Sequence, residues 1–168
     1  MALADRDEAG VRLRELNWRR DRDAVLGFQY EIYETNFPGC VVDDAFIHDY
    51  SLNLRDALRN PNDNLLVLEQ DEQVVGFVWM SLVSTLVDAC VGYIKNIYVG
   101  GELRGRGYGH MLLEAADEWF QMHGATKATL DASAGNKQAV DVYEHVGYRT
   151  TRLRMEKPYQ TRPPGDET

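Results

Sequence analysis

Cysteine is scarce in this chain. Cys40 and Cys90 are the two among 168 residues; they stand far apart and outside any C-x-x-C pair. With four scattered histidines besides, no metal-ligand spacing emerges, and no metal is expected. Both thiols are expected to be reduced and partly buried, packing as small hydrophobes. Long apolar runs are missing too: none approaches the roughly 20 residues that a membrane span needs. The opening MALADRDEAG places three acids and one base before any apolar run. That is the wrong charge order for a signal peptide and leads us to expect a cytoplasmic protein. Basic charge is in deficit, with 18 Lys and Arg against 27 Asp and Glu and a formal net charge of −9. Such a surface repels nucleic acid and anionic membrane, so neither is expected as a partner, and a cationic partner is weakly favoured.

What is present suits one ordinary domain. An apolar fraction of 44% and a charged fraction of 27% are those of a globular protein, and this length can bury roughly two-thirds of the unfolded surface. Residues 1–9 carry no sustained apolar pattern, and QTRPPGDET at 160–168 has two adjacent prolines and no large apolar residue. The pattern predicts disordered tails over 1–9 and 159–168 around a single domain over 10–158.

Val11 and Leu13 alternate with polar neighbours and predict a short strand. Asp21 or Asp23 is placed to cap a helix carrying Val25, Phe28, Gln29, Ile32 and Tyr33. Pro38-Gly39 breaks the chain. Asp43 and Asp44 precede a second helix with Phe46, Ile47, Tyr50, Leu54 and Leu58, which Asn60-Pro61 ends. Strand patterns follow over 65–68, 74–83 and 91–99 at hairpin spacing. A glycine-rich run over 100–109 leads into an amphipathic helix with Met111, Leu112, Ala115, Trp119 and Phe120. The remainder predicts a strand over 128–132, a helix over 137–145 and a last strand over 148–157. Hairpins followed by strand–helix–strand–helix–strand make an α/β fold with a mixed sheet and helices on its faces.

The chemically informative run is Ile97-Tyr98-Val99-Gly100-Gly101-Glu102-Leu103-Arg104-Gly105-Arg106-Gly107-Tyr108-Gly109. A strand ends, the chain turns through glycines, and a helix begins at once. Without Cβ atoms, successive amides can point into one concave nest, and the first turn of the new helix adds free N–H groups and partial positive charge. This arrangement suits a pyrophosphate, and Arg104 and Arg106 can add charge. A Rossmann G-x-G-x-x-G fails at His110, and the G-K-[S/T] ending of a P-loop is absent. A nucleotide-binding regulator is thereby disfavoured.

The pattern that does fit is R-x-x-G-x-G over 104–109, after a strand ending Ile97-x-Val99. Further on, Leu130-x-Ala132 precedes Asn136-x-x-Ala139-x-x-x-Tyr143-Glu144-x-x-Gly147-Tyr148. In this order the two motifs resemble the signatures of the GNAT superfamily of acyl-CoA-dependent N-acetyltransferases. The resemblance is strong over about 90–157 and lies only in the order of elements over 11–83. It implies a mostly antiparallel sheet of six or seven strands with helices on both faces, splayed between the fourth and fifth strands. Many members end in two further strands, whereas 148–157 is the one candidate here. Either the sheet has six strands or a partner chain completes its edge, which leaves a homodimer open.

The resemblance further implies acetyl-CoA as co-substrate and direct transfer of its acetyl group to a primary amine, on a small molecule or a peptide, in a ternary complex. The pantetheine would lie in the splay against backbone of Ile97, Tyr98 and Val99. The pyrophosphate would sit on Arg104, Gly105, Arg106, Gly107, Tyr108 and Gly109. Asn136 and Ala139 would border the pantetheine arm, though Asn136 is also a good helix N-cap. Tyr143 would be the general acid that protonates the departing thiolate. Gly147 reads as a helix C-cap. The glutamate that some branches carry near the end of this strand is missing, its neighbourhood holding Tyr93, Lys95 and Asn96. Glu34, Asp88 and Asp131 remain as candidate bases, direct or through water. The acceptor would meet Tyr33, Glu34, Phe37, Trp79 and Tyr93, with Tyr30, Asn36, His48 and the segment 81–88 nearby, aromatics and acids that suit a cation. A non-catalytic acyl-CoA sensor or interaction module of the same fold is the alternative, and a ping-pong route through Cys90 or Cys40 is a further one.

Overall fold

Successive side chains of a strand face opposite ways, so each apolar strand of this chain feeds two cores at once. Leu66, Leu68, Val78, Met80 and Ile94 face one side, where they pack with Met111, Leu112, Ala115 and Phe120. Leu65, Val67, Phe77 and Trp79 face the other and meet Val25, Tyr50 and Leu54. Leu66 and Phe77 are fully buried, and each such side chain contributes about 2 kcal/mol by leaving water.

The computed structural model describes residues 6–8, 10–157 and 159. Strands β1 (Arg6–Glu8), β2 (Val11–Glu15), β3 (Asp63–Gln70), β4 (Gln73–Val83), β5 (Val91–Val99) and β6 (Ala128–Leu130) form one sheet in chain order. Helices α1 (Trp18–Asn36) and α2 (Asp44–Ala57) cover one face; α3 (Tyr108–Met122) and α4 (Lys137–His145) cover the other. Neighbouring strands are antiparallel except β5 and β6, which are parallel. Parallel neighbours need a crossover, and α3 supplies it. The mixed, mostly antiparallel sheet with helices on both faces is thus present.

Several boundaries differ from expectation. Arg6–Glu8 pairs with β2, so residues 6–8 are sheet edge and not tail; the rest of the expected tails, 1–5, 9, 158 and 160–168, lies outside the described residues. The last expected strand, 148–157, does not form: Leu153 and Met155 are 82% and 90% exposed. Their alternation satisfied a strand pattern, but alternation without a core to cover it buries nothing. Six strands are present among the described residues, with β1 at the opposite edge standing in for the missing one. The strand expected over 128–132 stops at Leu130.

The start of α1 also differs. Asn17 is the N-cap, accepting from the amides of Arg19 and Arg20. Asp21 lies inside the first turn, fully buried, and accepts from the Asn17 amide at 2.7 Å and from Arg14 at 2.6 and 2.9 Å. Arg14 and Arg20 both reach Glu69 on β3, at 2.5 and 2.6 Å. Burial would raise the Asp21 pKa, but the bonds from Arg14 and Asn17 hold it below the usual carboxylate range. A buried acid tied to both helix start and sheet anchors α1 to β2 and β3.

One irregularity positions the site. Trp79 pairs with Asn96 and Met80 with Ile94, leaving Lys95 as an extra residue in β5. Such a bulge turns two consecutive side chains to one face. Lys95 and Asn96 both point toward α1 and α2, where Lys95 lies over the Trp79 ring and Asn96 bonds Gln29 and Tyr50. After the bulge Ile97 and Val99 return to the α3 core.

Candidate active site

Pairing between β5 and β6 covers Gly92, Tyr93 and Ile94 and then stops. The splay expected between these strands is therefore present, opening beside residues 95–99. Gly100 donates its amide to Val75 on β4, and the Tyr98 carbonyl also faces β4, against Gly76. Backbone groups alternate sides along a strand, so those of Ile97 and Val99 face the open seam. The bulge sets this parity: without its extra residue Asn96 and Tyr98 would face the seam. Tyr98 presents its side chain to the other face, stacked on Phe28 at 4.4 Å and bonded to Glu31 at 2.5 Å. Burial first, and then Glu31, pushes the Tyr98 phenol up to about 12.

At the mouth of the seam the chain makes a short 3₁₀ turn over Gly101–Leu103 and enters α3. Gly105 and Gly107 have φ of +74° and +91°, conformations that L side chains rarely adopt. Gly107 is the N-cap and brings no side-chain oxygen to the first turn, whose amides have no partner within the helix. A Cβ built on Gly105, Gly107 or Gly109 would meet nothing within 4 Å, so the glycines border open space. Such a turn fits an anion. Tyr108 contributes main chain alone, because its side chain is in the core. The two arginines divide. Arg104 bonds the Val99 carbonyl at 3.0 Å, pairs with Glu31 and lies over the Tyr98 ring. It braces the loop against α1 and does not stand free over the glycines. Arg106 is exposed and has no ion pair among the described residues.

On α4 the Asn136 oxygen caps the helix through the Ala139 amide at 3.2 Å, and its nitrogen donates to Asn36 at 3.1 Å. Of its two competing roles the cap is therefore the one in place, and the amide ties α4 to the end of α1. Gly147, at φ +100°, closes the helix: its amide bonds Glu144, and that of Tyr148 bonds Tyr143. Tyr143 packs edge-on against Tyr148 beside the α3 core, and its hydroxyl has no hydrogen bond among the described residues. Burial raises its pKa, so the phenol keeps its proton at neutral pH.

Across the sheet, a cleft of about 370 Å³ is lined by Tyr33, Tyr50, Asn53, Trp79, Lys95 and Asn96. Of the expected acceptor residues, Tyr33 and Trp79 line it. Phe37 stacks on Tyr33 at 5.1 Å. Glu34 is exposed and absent from the lining, and Tyr93 donates to Asp131 at 3.0 Å instead. Asn36 is engaged with Asn136, and Tyr30 and His48 are exposed. Ser81 bonds Asp63, and a turn joins Thr85 to Asp88. Among the candidate bases, Asp131 takes the Tyr93 hydroxyl and Asp88 pairs with Lys127. The lining holds no carboxylate. Sequence reasoning missed Tyr50, Asn53, Lys95 and Asn96 as lining. Nothing local signals them, because the bulge that aims Lys95 and Asn96 is a property of pairing with β4.

A sheet opened at one seam, with a glycine turn and a helix N-terminus at its mouth, defines a class by its fold. The chain superposes on a putative acetyl transferase from Pyrococcus furiosus with a TM-score of 0.70 and 25% identity, over 89% of this chain and 99% of that one. It matches the fold of the aminoglycoside N-acetyltransferase AAC(6')-Iy, solved in complex with CoA, with a TM-score of 0.69 at 17% identity, over 92% and 98% of the two chains. The model of the acetyltransferase (GNAT) family matches residues 26–148, and the chain belongs to that family. It is also 34% identical over 90 residues to mycothiol acetyltransferase of Corynebacterium glutamicum, across 52% of this chain and 28% of that protein. The chain spans less than two-thirds of the length of the curated relatives it matches. Among the described residues, no helix is long and apolar enough to cross a membrane.

Proposed function

We propose that the chain transfers an acetyl group from acetyl-CoA to a primary amine by direct attack in a ternary complex. The observation that carries this is the open seam beside Ile97 and Val99, ending at glycines that border open space. The coenzyme supplies an activated thioester. Backbone of Ile97 and Val99 binds the extended pantetheine as a missing strand would, and one N–H there polarises the carbonyl. The first-turn amides of α3, with Gly105, Gly107, Gly109 and Arg106, hold the pyrophosphate. Arg104 acts from behind by bracing the loop.

The amine forms the new C–N bond as the thioester C–S bond breaks. Its surplus proton leaves through water, since the cleft lining offers no carboxylate, and the Tyr143 phenol donates a proton to the departing sulfur. Changing Glu34→Gln or Asp131→Asn is expected to cost no more than about tenfold, whereas a dedicated base would cost about 10²–10⁴-fold. The test is calorimetric titration with acetyl-CoA followed by CoA release in an amine screen. Binding that Gly107→Trp abolishes, with turnover that Tyr143→Phe suppresses, supports the reading. Binding with no CoA release from any amine favours the non-catalytic sensor, and no binding by folded protein overturns both.

A further inference from the structure

The acceptor cleft presents a cation where an amine-binding cleft would ordinarily present an acid. Lys95 lines it, with its ammonium 4.6 Å from the centre of the Trp79 ring and its side chain 37% exposed. Its counter-charge lies behind the wall: Asp63, whose side chain is 3% exposed, bonds Lys95 at 3.1 Å. The same carboxylate also accepts from Trp79 at 2.9 Å, from Ser81 and from Asn60. Four donors from within the protein converge on Asp63, three of them on Oδ1. An ammonium has three N–H groups, so contact with Asp63 leaves donors for the cleft. The neighbouring wall has the same polarity. The Tyr50 hydroxyl accepts from Asn96 at 3.1 Å, which leaves its own proton to donate, and Asn53 and Tyr33 complete the lining.

The net charge of −9 pulls the other way, toward cations. That field, however, is screened over about 8 Å at physiological salt. An ammonium at the cleft wall acts at contact distance, where it decides.

We propose that the acceptor is a small primary amine that also bears an anionic group, carboxylate or phosphate, bound by Lys95. This rests on the acetyl-transfer reading above and narrows its substrate class. A polyamine or other polycation would place like charge against Lys95 with no carboxylate in the lining to offset it.

The experiment pairs acceptors that differ by one anion: α-amino acids beside their amides, and O-phosphoethanolamine beside ethanolamine, with spermidine as the polycation. The expected result is that kcat/KM for at least one anionic member exceeds that of its uncharged partner by tenfold or more, with the difference in KM. The carboxylate and phosphate arms identify which anion is used. Lys95→Arg should keep the preference and Lys95→Met remove it, while the Kd for acetyl-CoA stays unchanged in both. Because Lys95→Met leaves Asp63 short of a partner, the pair Lys95→Met with Asp63→Asn repeats the test without a stranded charge. Acetyl-CoA binding with turnover confined to uncharged or cationic amines, with no turnover of any anionic member, or with a preference that survives the double variant, overturns the proposal and leaves the cofactor reading intact. Failure to bind acetyl-CoA is a different result and overturns that reading instead.

Discussion

The two sides of β5 offer a ligand different parts of the residue. At the seam and the glycine turn, Ile97, Val99, Gly105, Gly107 and Gly109 present backbone, and their side chains are absent or turned into the core. In the cleft on the other face, Tyr33, Tyr50, Trp79 and Lys95 present side chains drawn from α1, α2, β4 and β5. A main-chain site tolerates few changes of conformation but many of chemistry. A side-chain site can be re-cut one residue at a time without disturbing the sheet. The same scaffold can thus keep its main-chain site fixed while its side-chain site varies.

The strongest test of that division is Gly107→Trp. It forces a bulky residue into a left-handed conformation at the helix start and fills the open space there. Acetyl-CoA binding is expected to weaken about 10²-fold or more by calorimetry, with the near-native circular dichroism of a folded sheet; unchanged binding would break the comparison outright. Next comes Tyr143→Phe, for which kcat should fall about 10²-fold in a CoA-release assay while the Kd for acetyl-CoA holds. Tyr33→Ala sharpens the contrast from the other side. Loss of one aromatic wall should raise the acceptor KM about two- to tenfold, consistent with the strength of ring contacts, and leave acetyl-CoA binding alone.

A smaller effect concerns the scaffold that both sides share. Burial would raise Asp21 and Asp63, but hydrogen bonds and nearby cations outweigh it and hold both carboxyls below the usual carboxylate range. The unfolded chain therefore binds more protons than the folded one as pH falls past this range. The stability these groups contribute is complete above about pH 5 and is lost as pH drops through the ordinary carboxylate value toward their folded values. Urea melts between pH 7 and 3 should show this decline, and Asp63→Asn should make it shallower.

Legibility followed the same line. The glycine turn, the Ile97-x-Val99 strand end and the Asn136 to Tyr148 helix were readable because each depends on contiguous residues with fixed conformational demands. The alternation of Leu153 and Met155 was readable as well and misled, since a strand exists only where a neighbour accepts its hydrogen bonds. The brief pattern at Arg6–Glu8 carried no signal, yet β2 recruited it. Glu34 and Tyr93 were acceptor candidates that the resemblance implied, and neither lines the cleft.

By itself, the sequence determined the order of elements, the apolar faces of helices and strands, and the glycine turn, because these arise from local dihedral preferences and short-range periodicity. Tertiary structure alone decided the single-residue bulge at Lys95, which depends on register against β4, about fifty ångströms of extended chain away along the sequence. That one residue sets which amides face the seam and turns Lys95 and Asn96 together into the cleft. Pairing register is a property of two strands at once, and no single stretch of sequence contains it.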